Sequence, residues 1–243
     1  MCCAITLRVK FSFLPIINKA GIGMQLQAII RIVGLLVMMF SSSMLLPALV
    51  AVLYKDGAGS AFMGAFFVSV TIGFFLWFFT RDKKADLRAK EGFLVVVLFW
   101  TVLGSVGALP FLFSAEPDLS ISGAFFEAFS GLTTTGATVL TGLDTYPKAI
   151  LFYRQQLQWF GGMGIILLSI AILPFLGIGG MSLFKAEVPG PVADKVHPRV
   201  GETAKILWGV YVLITAIETV LLMFGGMDLF DSLCHSFGTL ATG

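Results

Sequence analysis

Residues 129–139 read FSGLTTTGATV, four threonines and two glycines set between long apolar runs. Backbone at membrane depth that is not helical must line a cavity or be buried in protein, because hydrocarbon offers no partner for its N–H and C=O groups. The surrounding chain is apolar enough for that rule to apply. Of its 243 residues 57% are hydrophobic and 12% charged, with a mean hydropathy of +0.94. A soluble domain carries about 25% charge. The expected fold class is an all-α integral membrane protein. The net charge of +2 points to no partner, and nucleic acid is not expected to be one.

A spanning helix needs about 20 largely apolar residues. Five segments qualify on either side of the polar run: 27–53, 60–80, 93–113, 147–178 and 203–225. Two other stretches, 120–140 and 227–243, are too short and too polar to span. Each follows a spanning segment, opens as a short helix and ends in Thr/Gly-rich backbone. The loop RDKKADLRAKE at 81–91 holds five Lys/Arg in eleven residues, and the linker 182–205 adds Lys185, Lys195, Arg199 and Lys205. Such loops stay on the cytoplasmic side. Counting outward puts the N-terminus in the cytoplasm and 114–147 outside. Membrane lipid is the expected surrounding medium.

The two polar stretches align without a gap at an offset of 108, which pairs Glu127 with His235, Phe129 with Phe237, Leu132 with Leu240 and Thr134 with Thr242. A shift by one instead pairs Thr135 with Thr242 and Gly136 with Gly243. Residue identity leaves both registers open. In either one the unit is a spanning helix, a short half-buried helix and a Thr/Gly loop. A short helix entering from outside points its C-terminal end, with about half a negative charge and unpaired carbonyls, into the membrane. Glycine permits the backbone angles that turn carbonyls toward one axis. Rings of such carbonyls replace the hydration shell of potassium. No acid occurs between Thr133 and Val139, so the ion would not be held by a fixed carboxylate.

Several single residues carry competing readings. Glu127 can attract cations or hydrogen-bond within the packed helix, and Asp118 can cap that helix or complement its dipole. Glu218 lies inside a spanning segment and calls for a partner. Arg154 can brace the loop or snorkel to the interface. Gly161, Gly162 and Gly164 read as close helix packing. His197 and His235 lack a second imidazole at ligand spacing, and Cys2, Cys3 and Cys234 show neither metal spacing nor a disulfide framework, so no metal other than potassium is expected. An enzyme built on Glu127, Glu218 or His235 would need a nucleophile or metal set at the same depth. The sequence offers none, and an enzyme is not expected.

Together, GLTTTGATV, QWFGGMGI at 158–165, EVPGP at 187–191 and ETAKILWGVYVLIT at 202–215 resemble the Trk/Ktr/HKT superfamily of potassium transporters, in its bacterial Trk-type branch. The resemblance runs from about Met24 to Gly243. It implies four helix–pore loop–helix units around a pseudo-fourfold pore, preceded by two extra helices. On that frame 1–23 is an N-terminal extension, and 24–92 holds the two extra helices with the basic loop. The first unit is 93–180, the cytoplasmic linker 181–202, and the second unit 203–243, which stops inside its filter. The resemblance implies a potassium-binding filter at Thr133, Thr134, Thr135 and Gly136, with Ala241, Thr242 and Gly243 as its counterpart, supported by Glu127 and Arg154. It implies potassium uptake across the bacterial inner membrane, a homodimer, and a peripheral nucleotide-binding regulatory subunit on the cytoplasmic side. The competing expectation is a truncated, non-transporting fragment or assembly module that needs the missing half.

Overall fold

The computed structural model describes residues 26–81, 89–172 and 197–243, except for the side chains at 89–93, 144 and 165–201. The extension 1–23, most of the basic loop, EVPGP and most of the linker lie outside these residues. All the longer elements among the described residues are helices.

Helix α1 (Leu26–Ser42) and helix α2 (Leu45–Tyr54) make one apolar run of 29 residues. The sequence predicts one continuous helix there, and the structure corrects it with a break at Ser43 and Met44. Pro47 has no N–H to give the Ser43 carbonyl. The hydroxyls of Ser41, Ser42 and Ser43 also bond back to the carbonyls of Val37, Met38 and Phe40 at 2.6, 3.0 and 2.6 Å, a pattern that loosens helices. Gln156 Nε2 donates to the Ser43 carbonyl at 2.9 Å, which ties the break to a helix 113 residues away.

Helix α3 (Gly59–Phe78) spans without interruption. The third apolar segment is again two pieces, α4 (Ala89–Gly107) and α5 (Leu109–Phe113), parted at Ala108 with Pro110 in the first turn of α5. Tyr153 Oη donates to the Gly107 carbonyl at this break, at 3.0 Å. Helix α6 (Ile121–Leu132) has 12 residues. At 1.5 Å per residue it covers about 18 Å, short of the ~30 Å hydrocarbon core. Its N-cap is Ser120, whose hydroxyl accepts from the Gly123 N–H at 3.2 Å, and no acid lies in its first turn. Asp118 therefore does not take the capping place expected of it. A turn of 3₁₀ helix at Leu143–Thr145 leads into α7 (Lys148–Ile172), whose 25 residues are long enough to cross. Helix α8 (His197–Phe224) is followed by a second short helix, α9 (Leu229–Ala241).

The core lies where α1 and α2, α3, the α4–α5 pair, α6 and α7 meet. Ile29, Met44, Phe62, Phe111, Ile150, Tyr153 and Leu157 are fully enclosed there. The outward faces carry large apolar side chains such as Phe67, Phe75 and Phe79 on and beside α3, and Ile206, Leu213 and Leu221 on α8. In water such exposure would be costly; in lipid it is the expected solvent contact. Four helical runs among the described residues are long and apolar enough to cross a membrane: Leu26–Tyr54, Gly59–Phe78, Leu94–Phe113 and Glu202–Phe224. The protein is an all-helical, multi-pass membrane protein.

Candidate functional site

Helix α6 stops at Leu132, and the backbone from Thr135 to Val139 is neither helix nor strand. The stop is a tight turn: the N–H groups of Thr134 and Thr135 donate to the carbonyls of Gly131 and Ser130, each at 2.9 Å. Thr134 takes the left-handed conformation at φ 56°, and Gly136 follows at φ 72°. A glycine accepts this region freely. A threonine there is unusual and carries strain of order 1 kcal/mol or more. Among the described residues, the carbonyl oxygens of Thr133, Thr134, Thr135 and Gly136 receive no hydrogen bond. Four successive acceptors are thus left open in a protein that must otherwise satisfy its backbone internally.

The loop is held from behind by side chains. Glu127, on α6, is buried, and its Oε1 accepts from Thr138 Oγ1 at 2.6 Å and from the Val139 N–H at 2.7 Å. Its Oε2 accepts from Arg154 Nε at 2.8 Å, and Arg154 is buried as well. Arg154 is thus engaged in a buried ion pair with Glu127. Ser130 Oγ donates to the Ala137 carbonyl at 2.5 Å, and the Leu140 N–H donates to Thr138 Oγ1 at 3.0 Å. A buried carboxylate with three charge-assisted bonds is a rigid anchor. Its partners are Thr138, Val139 and Arg154, so it supports the loop beyond the open carbonyls.

Helix α9 ends in the same way. Its N-cap Asp228 accepts from the Asp231 N–H, as Ser120 does from Gly123. Thr242 is left-handed at φ 58°, and the N–H groups of Thr242 and Gly243 donate to the carbonyls of Thr239 and Gly238. Caps, left-handed residues and closing bonds all coincide at an offset of 108, so this offset, not the shift by one, describes the two helix ends. The side-chain support differs. His235 stands where α6 has Glu127, and it is exposed.

Helix α7 lies between the two loops. A Cβ on Gly161 would collide with the Leu132 carbonyl, and one on Gly162 would come within 2.7 Å of Tyr211 Oη and 3.1 Å of Ala241 Cα. The two glycines therefore admit the loop ends and α8, more than a generic helix neighbour. Among the described residues, a Cβ on Gly164 would meet the Trp100 ring, at 3.6 Å. On the far side Trp159 stacks on Phe237 with centroids 5.1 Å apart, and its Nε1 donates to Thr215 Oγ1 at 3.0 Å. Thr219 Oγ1 donates to Ser236 Oγ, also at 3.0 Å. The loops themselves touch: a Cβ on Gly136 would lie 2.8 Å from the Gly243 carbonyl carbon. Thr133–Gly136 and Ala241–Gly243 are thus brought together. Glu218 is half-buried on α8 and meets no hydrogen-bonding or charged partner among the described residues, contrary to the expectation of one.

Sequence reasoning missed Ser130, Thr138 and the glutamines of α7. Gln155, Gln156 and Gln158 fall within four residues of a spanning helix. That was the available signal, since amides in hydrocarbon require partners.

Residues 58–243 match the family model described as TrkH, cation transport protein. The chain is 62% identical over 221 residues to the Trk system potassium uptake protein TrkH of Escherichia coli, covering 90% of this chain and 46% of that one. It is 40% identical over 211 residues to the Trk system potassium uptake protein TrkG of the same organism, covering 86% and 44%. The crystal structure of the potassium transporter TrkH from Vibrio parahaemolyticus superposes with a TM-score of 0.78 at 56% identity, covering 88% of this chain and 42% of that one. The chain thus spans about half the length of these relatives. The family is one of transport proteins and not of enzymes, and the matched residues include both loops and all of α3–α9: this chain belongs to the TrkH family of cation transport proteins.

Proposed function

We propose that this chain supplies two adjacent sides of a potassium-uptake pore of a Trk system, with Thr133, Thr134, Thr135 and Gly136 on one side and Ala241, Thr242 and Gly243 on the next. The observation that carries the reading is the run of four carbonyls without donors among the described residues, at the end of a short, non-spanning helix. Potassium is the permeant ion. It exchanges water for these oxygens, as a carbonyl filter requires. Positive φ at alternate residues is the backbone change that lets carbonyls of an extended run face one side. The C-terminal ends of α6 and α9 add partial negative charge. The driving force is the membrane potential, worth about 2.3 kcal/mol per charge per 100 mV.

In this reading the boundaries fall at 24–92 for the two leading helices, 93–180 for the first unit, 181–202 for the linker and 203–243 for the second. The N-terminus and the 81–91 loop face the cytoplasm of an inner membrane. An impermeant maleimide applied from outside labels a cysteine placed at 116 and spares one at 86; the reverse pattern would refute the orientation. The assembly is a homodimer with a cytoplasmic nucleotide-binding regulator, a proposal that rests on the kinship with Trk system proteins. Copurification of that regulator with the full-length chain, and its absence with a chain lacking the linker, is the corresponding check.

The central test is Gly136→Ser in a full-length chain carrying this segment. The substitution puts a Cβ at φ 72° and 2.8 Å from Gly243. We expect normal membrane abundance with reduced potassium uptake or a reduced preference for potassium over sodium. Gly164→Ser, whose Cβ meets Trp100 among the described residues, serves as the control. Unchanged uptake and preference in Gly136→Ser would reject the filter. A second reading has its own support, since the chain spans 46% of its relatives: the segment alone is an assembly unit that conducts only with the remainder. Potassium flux into vesicles holding only the 243-residue chain would exclude that reading.

A further inference from the structure

Three elements meet at the start of α7. Lys148 Nζ lies 4.6 Å from the centroid of the Tyr54 ring, at the end of α2, and 4.7 Å from that of Phe230, in the first turn of α9. The two rings meet edge-on, with centroids 5.4 Å apart. Lys148 makes no ion pair among the described residues, and its charge rests on the two ring faces, an attraction that strengthens as water is excluded. Phe230 is buried and Lys148 half-buried. Asp56, two residues beyond Tyr54, ties the same corner: Oδ1 accepts from the Ala58 N–H at 3.1 Å, and Oδ2 from the Ala149 N–H at 2.8 Å. Lys148 also heads the stripe of α7 that faces α9. Further along it, Phe152 and Trp159 meet Phe237 with centroids 5.8 and 5.1 Å apart, and Gln155 Oε1 would lie 2.9 Å from a Cβ on Gly238. The 13 residues of α9, about 20 Å of helix, are thus held from their first turn to the loop that follows.

We propose that Lys148 is a positioning residue through which the leading helices set the second loop: its ammonium, held between Tyr54 of α2 and Phe230 of α9, fixes the start of α9 and with it the placement of Ala241–Gly243 against Gly136. A cation at a helix N-terminus is opposed by the dipole, so packing alone would favour an apolar side chain at this position. The charge gains what an apolar residue would not supply, a joint attraction to rings from two other elements. The proposal rests on the filter reading and goes beyond it by giving the two leading helices, which carry no loop of their own, a part in the geometry of the filter.

The experiment uses the full-length chain in proteoliposomes. It measures potassium uptake with sodium as competitor, backbone hydrogen exchange in α9 and α6, and membrane abundance. Lys148→Met keeps the stem and removes the charge. Exchange in α9 is expected to accelerate about tenfold relative to α6, the worth of two such ring contacts, and the potassium-over-sodium preference to fall by no more than that factor, at normal abundance. Lys148→Arg keeps a cation over the rings and is expected to restore both. Lys55→Met is the control for surface charge: Lys55 is exposed and meets no ring or acid among the described residues, so neither readout should move. An equal fall in Lys55→Met, a fall without faster exchange in α9, or an arginine variant as defective as the methionine one overturns the proposal. So does an unchanged preference in inserted Lys148→Met when Gly136→Ser shifts it; if neither shifts it, the filter reading fails as well. If Lys148→Met does not reach the membrane, Tyr54→Leu must lower the preference while Tyr54→Phe, which keeps the ring, does not. Failure of both Lys148→Met and Tyr54→Leu to insert assigns the corner to folding and also overturns the proposal.

Discussion

The loops after α6 and α9 share a backbone and differ in what stands behind it. Each follows a capped short helix, turns through a left-handed threonine at 134 or 242, and closes with two backbone bonds at the same relative positions. Behind the first loop lies a buried ion pair that reaches four residues: Glu127, Arg154, Thr138 and Val139. In the second unit the matching position is the exposed His235, and the amide of Gln158 lies close to Gly243. The turn geometry is therefore set locally, by the distance from cap to helix end. The rigidity of each loop is set by tertiary partners that the repeat does not copy. The first loop is the more firmly anchored of the two.

The largest effect should come from breaking the stiffer wall. In Glu127→Gln the amide can still accept from Thr138 and Val139, but its NH₂ then faces Arg154 Nε. Leaving a buried charge uncompensated costs about 3–5 kcal/mol. We expect a large loss of thermal stability in detergent, with a similar loss in Arg154→Met. The two should be strongly non-additive in Glu127→Gln/Arg154→Met, since both remove one interaction. His235→Gln in the 243-residue chain should change stability by less than about 0.5 kcal/mol, as an exposed substitution does. Equal losses at 127 and 235 would erase the distinction between the loops.

How much of this was legible beforehand depends on the range of the interaction. Hydropathy located the spanning segments, because about 20 apolar residues leave few alternatives. The Thr/Gly run marked the loop, since nothing else explains such residues in hydrocarbon. The helix breaks were written in Pro47 and Pro110, yet continuous hydropathy outweighed them. The register stayed open because Thr135-Gly136 matches Thr242-Gly243 by identity, whereas the chain aligns by turn geometry. That geometry puts a β-branched Thr134 where glycine would be expected. The pairing of Glu127 with Arg154, 27 residues apart, follows from how α7 packs on α6 and from no local pattern. Gln158 was passed over because a glutamine carries no charge to draw attention.

An intermediate effect is expected at Ser130, whose hydroxyl donates to the Ala137 carbonyl. The matching position on α9 is Gly238, which has no side chain to do so. Ser130→Ala removes a bond worth about 1 kcal/mol and releases the Ala137 carbonyl just beyond the open run. Hydrogen exchange at Val139 and Leu140, whose N–H groups bond Glu127 and Thr138 in the same loop, should accelerate about fivefold, in proportion to that loss, while the helix interior keeps its protection. Unaltered exchange would mean that the Glu127 anchor alone fixes the loop.

The smallest effect should fall on what the two units have in common. Ser120 and Asp228 each accept from the N–H three residues on, at 3.2 and 2.9 Å, and removing a cap typically costs ~1 kcal/mol. Ser120→Ala and Asp228→Ala should therefore lower stability by similar, modest amounts. Asp228 should lose slightly more, because its carboxylate also meets the positive end of the helix dipole. Raising the salt concentration separates the two contributions: screening weakens an exposed charge–dipole term and leaves a neutral hydroxyl bond nearly untouched. The gap between the two variants should narrow with salt while the Ser120→Ala loss holds steady. Thermal unfolding of both variants at low and high salt measures this. A cap at Asp228 that costs several times more than one at Ser120, at any salt, would show that the second short helix depends on its start for stability the first draws from Glu127, and the shared geometry of the two ends would then conceal two different ways of holding a loop.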